Sequence, residues 1–366
     1  MPGPRRSKVG EVGGRFGSFG EVEPHEDYGF FGPGSVVWKV WSYPTSLTVG
    51  FQRAVVVEEL DPPLVAAVHT TQGIYQRPRT RYDRTLRYFA MVAFAGSREV
   101  CRAADVLVKV HSKAVGRLPY GDGTYDANDP ASQLWIQLTG WHSILYAYER
   151  YGPGKLGAEE EKEYWEACAT AAELQTCSPD DIPRTREGVR AYFERMRPQL
   201  SASPIARQAM NHLLRTELVL PPTPGWAKPL SAVVARAQRI ATVATLPRWM
   251  RELAGIRQSR LLDVLIVPVM KLSFALAHLS PRVELLLLGR LSPSTVPVIA
   301  PMKLGVPPRN AEVLPPAEAR ARHGFVRPAE AHQDLRARQA ARVLGEGRQP
   351  SDQGLVESQA ILGPLG

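Results

Sequence analysis

Apolar residues in this chain recur at helical spacing, and almost nowhere do they alternate in twos. That period is the strongest constraint on the fold, because side chains spaced for one face of a helix cannot line one face of a sheet. End signals frame the periodic stretches. Asp61 with Pro62, and Asp129 with Pro130, each place an N-capping side chain before a proline at the first helical position. Ser97 reads as the N-cap of a helix that stops at Gly116, Gly73 as the stop of the helix begun at Pro62, and a further helix starts near Arg184 or Thr185. No internal repeat is present. The expectation is an all-α bundle of about ten helices with a ligand pocket between helices.

Composition bounds the rest. The 366 residues are 44% hydrophobic and 22% charged, ample for a sizeable core. Pro and Gly crowd both ends. Residues 1–26 therefore read as a disordered lead, 27–300 as one helical domain, and 301–366 as a Pro/Ala/Arg-rich, mostly disordered tail. On that reading His25, His323 and His332 are set aside as candidate ligands. The net charge of +9 permits nucleic acid or an anionic membrane as partner, but the arginines are scattered and form no compact nucleic-acid motif, so nucleic acid is not expected. Cys101, Cys168 and Cys177 are few, odd in number and without metal spacing, which favours a reducing, cytoplasmic setting. Arg5 and Arg6 are followed by a polar, Gly-rich run, so no secretory signal is expected. Residues 261–279 are apolar but interrupted by Asp263, Pro268 and Lys271, and read as core or membrane-surface helices rather than a span. The wider stretch 261–288 is a candidate peripheral membrane contact.

Catalytic motifs are sparse: no G-x-S-x-G, Walker loop, GxGxxG or H-E-x-x-H occurs, and no two histidines stand three or four apart. One constellation remains. In "DVLVKVHSKAVGR" (105–117), Val100, Ala104, Leu107, His111 and Ala114 share a face, with Arg102, Lys109 and Lys113 opposite. His111 is either a core histidine with a satisfied hydrogen bond or a ligand turned into a pocket. On the preceding helix Arg81, Thr85, Tyr88 and Val92 share a face; Arg81 and Thr85 are either a solvated helix start and core filler or a polar pair in that pocket. Only "GS" separates the two helices, so they are expected to pack antiparallel. A third helix presents Leu134, Leu138, Trp141, Leu145 and Tyr148, with Trp135, Thr139, His142 and Tyr146 beside them, mainly as core. Glu58 and Glu59 precede a proline turn and show no carboxylate partner in the sequence.

Four stretches in order, "GPGSVVWKV", "RTRYDRTLRY", "VHSKAVGR" and "YDANDPASQLWIQLTGWHSILYAYERYG", resemble the mpaB-like oxygenase family, which shares its catalytic domain with rubber oxygenase (latex clearing protein). The resemblance covers roughly residues 28–215. It implies an all-α fold holding one haem b, with a proximal histidine that maps onto His111 and a pocket arginine and threonine that map onto Arg81 and Thr85. It also implies O2 and an apolar, isoprenoid-like alkene as substrates, and cleavage of the C=C bond to carbonyl products. Where many relatives show "WVHAT" this chain reads "WIQLT", with Gln137 in place of a histidine and His142 one turn on. A haem protein without oxygenase activity, for redox transfer or gas sensing, would share the spectrum without O2-dependent turnover. A haem-free carrier of lipid or isoprenoid would leave His111 a core residue. Oligomeric state is not read from the sequence.

Overall fold

In a computed structural model that describes residues 22–352, the chain is predominantly helical. Seventeen α-helices follow one another among the described residues. In the first half they are α1 (Val36–Trp41), α2 (Phe51–Glu58), α3 (Pro62–Thr71), α4 (Gly73–Gln76), α5 (Pro78–Phe94), α6 (Ser97–His111), α7 (Pro130–Tyr151), α8 (Ala158–Ala172) and α9 (Arg186–Met196). Then come α10 (Pro204–Leu213), α11 (Lys228–Thr245), α12 (Arg248–Ala254), α13 (Arg260–His278), α14 (Pro281–Leu291), α15 (Val296–Lys303), α16 (Pro316–His323) and α17 (Gln333–Ala340). The all-α expectation is met; the count of about ten was low because short helices of four to eight residues leave too little periodicity to register.

α7 is the central rod. Asp129 caps it, accepting from the amides of Ala131 and Ser132, with Pro130 in the first turn. Trp135, Leu138, Trp141, Ile144 and Tyr151 along it are all buried. Trp141 meets Trp41 of α1 edge-on at 5.0 Å, and its carbonyl accepts from the Tyr164 hydroxyl of α8 at 2.8 Å. The Tyr151 hydroxyl donates to the carbonyl of Ala241 on α11. α2 lies against α7 closely: a Cβ on Gly50, in the turn before α2, would sit 3.1 Å from the Ile144 Cα. That approach brings the end of α2 beside the first half of α7.

The end signals hold at Asp61 and Thr185, whose side chains accept from the amides of Leu64 and Gly188. They shift elsewhere. α3 stops at Gln72, in the left-handed region at φ 54°, and Gly73 opens α4 instead. Gly96, not Ser97, is the N-cap of α6. α6 ends at His111 rather than at Gly116, which lies in strand β1 (Val115–Arg117), paired antiparallel with β2 (Thr124–Asp126). Gly116 faces Tyr125, and a Cβ there would stand 2.6 Å from the Tyr125 hydroxyl oxygen, which itself donates to Thr70 of α3. The glycine is therefore set by close packing and not by a helix stop.

The end segments also depart from the reading of composition. Residues 309–314 run beside residues 25–29, joined by four backbone hydrogen bonds from Arg309 to His25, Asn310 to Glu26, Tyr28 to Glu312 and Leu314 to Gly29. His25 bonds the Val298 carbonyl and faces Glu99 of α6; His323 Nε2 lies 2.9 Å from Ser97 Oγ; His332 Nε2 lies 2.5 Å from Asp105. The three histidines set aside as tail residues thus fasten both ends to α6. Polar pairing, invisible to hydropathy, holds these segments. Residues 1–21 and 353–366 of the expected lead and tail lie outside the described residues.

Candidate active site

The site is assembled from the C-terminal ends of α2 and α6, the first turns of α5 and one turn of α7. Termination of α2 before the Asp61–Pro62 break leaves two consecutive carboxylates, Glu58 and Glu59, inside the protein. The Thr139 hydroxyl of α7 lies 3.3 Å from Glu58 Oε1, and the Trp135 indole donates to the Glu58 carbonyl at 3.3 Å. Glu59 is 3% exposed, and its Oε2 has no hydrogen-bond partner among the described residues. The hydroxyl of Tyr75, on α4 and close enough to feel the Glu59 charge, is likewise buried without one, as is Nδ1 of His69 on α3.

Arg81 of α5 is the shared counter-charge. It lowers the pKa of Glu58, of Glu59 and of His111, so all three lie within its electrostatic reach. Burial opposes it. Loss of water pushes the Glu58 carboxyl up to about 7, with Thr139 and Arg81 pulling the other way. Glu59 is raised well above the usual carboxylate range by burial and then by the charge of Glu58. His111 is held down to about 4 by burial and by Arg81, which keeps the imidazole neutral at physiological pH. Arg81 in turn is lowered by burial.

Glu58 and His111 are half-buried, Glu59 is buried and Arg81 is exposed, so the group reaches solvent at Arg81. Arg81 and His111 lie within electrostatic reach of each other. Thr85 follows one turn along α5, where its hydroxyl donates to the Arg81 carbonyl at 2.9 Å, so its link to Arg81 runs through backbone. Gln137 points away: its amide donates to the Cys168 carbonyl of α8, a tie between helices. His142 lies beside the buried Arg53 of α2, 3.3 Å from its guanidinium, and against the Phe193 ring. Sequence reasoning left Glu58 and Glu59 unpartnered and passed over Tyr75; the signal available was a pair of carboxylates at an apolar helix end.

No group of three or more His, Cys, Asp and Glu side chains that could hold a metal ion occurs among the described residues. The donor set is a single neutral imidazole with a cation and two carboxyls nearby. That set fits a metal whose other ligands come from a macrocycle, and it does not fit a cage built from side chains.

Residues 38–272 match the family model described as "ER-bound oxygenase mpaB/B'/Rubber oxygenase, catalytic domain". The chain belongs to this mpaB/rubber oxygenase family. The match runs past the stretch on which the resemblance was read and takes in α11, α12 and most of α13. Every element that contributes to the site lies within it. The chain is thus an oxygenase-family domain, of the oxidoreductase kind, with O2 and a substrate as its general partners. No curated protein and no solved structure matches it.

Proposed function

We propose that this protein is a haem b-dependent oxygenase that uses O2 on an apolar, isoprenoid-like alkene and cleaves its C=C bond to carbonyl products. The observation that carries the reading is the half-buried, neutral His111 within reach of Arg81, which also acts on the two inward carboxyls Glu58 and Glu59. Among the groups at the site, His111 would hold the haem iron, and Arg81 would meet a propionate or a developing negative charge. When bound, haem would supply the electron chemistry toward O2 that no amino-acid side chain offers.

The remaining work falls to the chain itself. Glu58, with a pKa of about 7, is populated in both protonation states near neutrality and can take up or release a proton at its carboxyl. Thr139 and, less strongly, Arg81 restrain the upward drift of that pKa. The apolar core packed beside these groups suits an alkene. All three cysteines are free and buried, in keeping with a cytoplasmic, reducing location. Such a substrate partitions into lipid, and we place a peripheral membrane contact at residues 261–288.

The test is O2 uptake by haem-supplemented protein given linear isoprenoid alkenes, with carbonyl products trapped by a hydrazine. Turnover is expected, with Glu58→Gln slowed roughly 100-fold or more at unchanged haem content. Uptake no greater than that of free haem would overturn the assignment.

A further inference from the structure

Among the described residues, fifteen of the eighteen large apolar side chains most exposed to solvent belong to one stretch, Trp226 to Leu287. All but Trp226, in the turn before α11, and Leu279, just past α13, sit on three neighbouring helices. α13 packs beside α11 and α14, and buries only a narrow stripe, Ile266, Met270 and Phe274, against the body. Its outer ridge is formed by Leu261, Leu265, Leu272, Leu276 and Leu279, more than half exposed in each case. α14 adds Leu286 and Leu287, and α11 adds Leu230 and Val233. A surface this apolar and contiguous marks an interaction face.

Charge decides the occupant. Residues 221–300 carry ten Lys and Arg against three acids, most of the chain's net +9. Two of those acids are already bonded to cations, Asp263 to Arg251 and Glu284 to Lys303. Lys228, Arg236, Arg260, Lys271, Arg282 and Arg290 are exposed around the ridge. A two-fold contact between copies through this face would set these cations against their own kind. A surface with a greasy interior and anionic headgroups satisfies both features at once.

We propose that the α11–α13–α14 face docks in-plane on an anionic phospholipid bilayer, its leucines in the acyl boundary and its lysines and arginines among the headgroups. α13 is long and apolar enough to cross a membrane, with a mean hydropathy of 1.7. It is nonetheless fixed along one side: Arg251 and Gln258 hold Asp263 at its start, and Arg150 of α7 donates to the Asp263 carbonyl. Such a helix lies on the surface over its length of about 28 Å. Just beyond α14, Ser292 and the Ser294 amide bond the Asp83 carboxylate, two residues from Arg81, so the docked face is fastened to the helix that carries the site. That the enzyme draws its alkene from this bilayer rests on the oxygenase reading; the docking does not, and vesicle binding is read without haem.

The experiment is co-sedimentation of the full chain with vesicles of phosphatidylcholine alone and of phosphatidylcholine mixed with phosphatidylserine. Binding is expected to the mixed vesicles, to weaken with salt, to fall about 30-fold in Arg260→Gln/Arg282→Gln, and to vanish in Leu265→Glu/Leu272→Glu. These positions are exposed, and an unchanged circular dichroism spectrum verifies the fold. Wild-type protein left in the supernatant with both vesicles overturns the proposal. So does a concentration-dependent dimer that the leucine variant dissociates while vesicles bind nothing.

Discussion

Replacing Glu58 with glutamine isolates the cost of its charge. Glutamine is close in shape to a protonated glutamic acid, so the variant and the wild type should nearly match in stability near pH 4.5. The folded-state pKa of about 7 lies above the ordinary value of 4.5 expected in the unfolded chain. Between those values the folded protein binds the extra proton, and wild-type stability falls as pH rises. A gap of about 2.5 pH units at about 1.4 kcal/mol each gives a loss of roughly 3 kcal/mol, nearly complete by pH 8. Glu58→Gln has no such proton to lose. It should be the more stable protein at pH 8, by up to about 3 kcal/mol, and the difference should shrink to about 0.5 kcal/mol or less by pH 4.5. Urea unfolding at intervals from pH 4.5 to 8.5, with the two midpoints subtracted at each pH, measures it. Other titrating groups largely cancel in the subtraction. A variant less stable than wild type at pH 8 but equal at pH 5 would show that Arg81 more than compensates burial, and that Glu58 is a fixed anion with no role in proton transfer.

Haem affinity supplies another check on the site. Because His111 is held near pKa 4, its imidazole is already neutral above about pH 5.5, and protons should not compete with iron between pH 5.5 and 8. Affinity rising tenfold per pH unit up to 6.5 would mean an imidazole of ordinary pKa. Away from the site, Asp27 accepts from the amides of Gly29 and Ser97 and from the Ser97 hydroxyl, all within 2.7 Å. Asp27→Ala strands these buried donors at the start of α6 and should cost about 3 kcal/mol or more in urea unfolding, with Asp27→Asn costing less; a loss under about 1 kcal/mol would contradict the clamp. Gly116→Ala forces a methyl into the Tyr125 ring and should cost about 1–3 kcal/mol, whereas a neutral change would show that the hairpin yields.

The parts of the fold that were legible are those written locally. Asp61, Asp129 and Thr185 announce helix starts through their own side chains, and the stripe containing His111 repeats every turn of α6. Gly116 misled because a glycine after a helical run reads as a stop, and strands of three residues are too short to show alternation. The pairing of 309–314 with 25–29, and of His323 with Ser97, joins residues more than two hundred positions apart through polar bonds. The site divides the same way. Arg81, Thr85 and His111 lie on periodic faces and can be singled out, but their relation to Glu58 and Glu59 exists only once α2 packs on α7. Gly50, whose missing side chain allows that contact, gives no hint of it in the sequence.

The proposed haem site depends on His111 as the residue that would hold the iron. The visible absorption spectrum of protein produced with haem supplementation, recorded beside His111→Ala and His142→Ala, tests it most directly. A strong Soret band in the wild type and in His142→Ala, lost in His111→Ala while the helical circular dichroism is kept, is the predicted result. A colourless wild type that takes up no haem on titration, or a band that survives in His111→Ala, would contradict it.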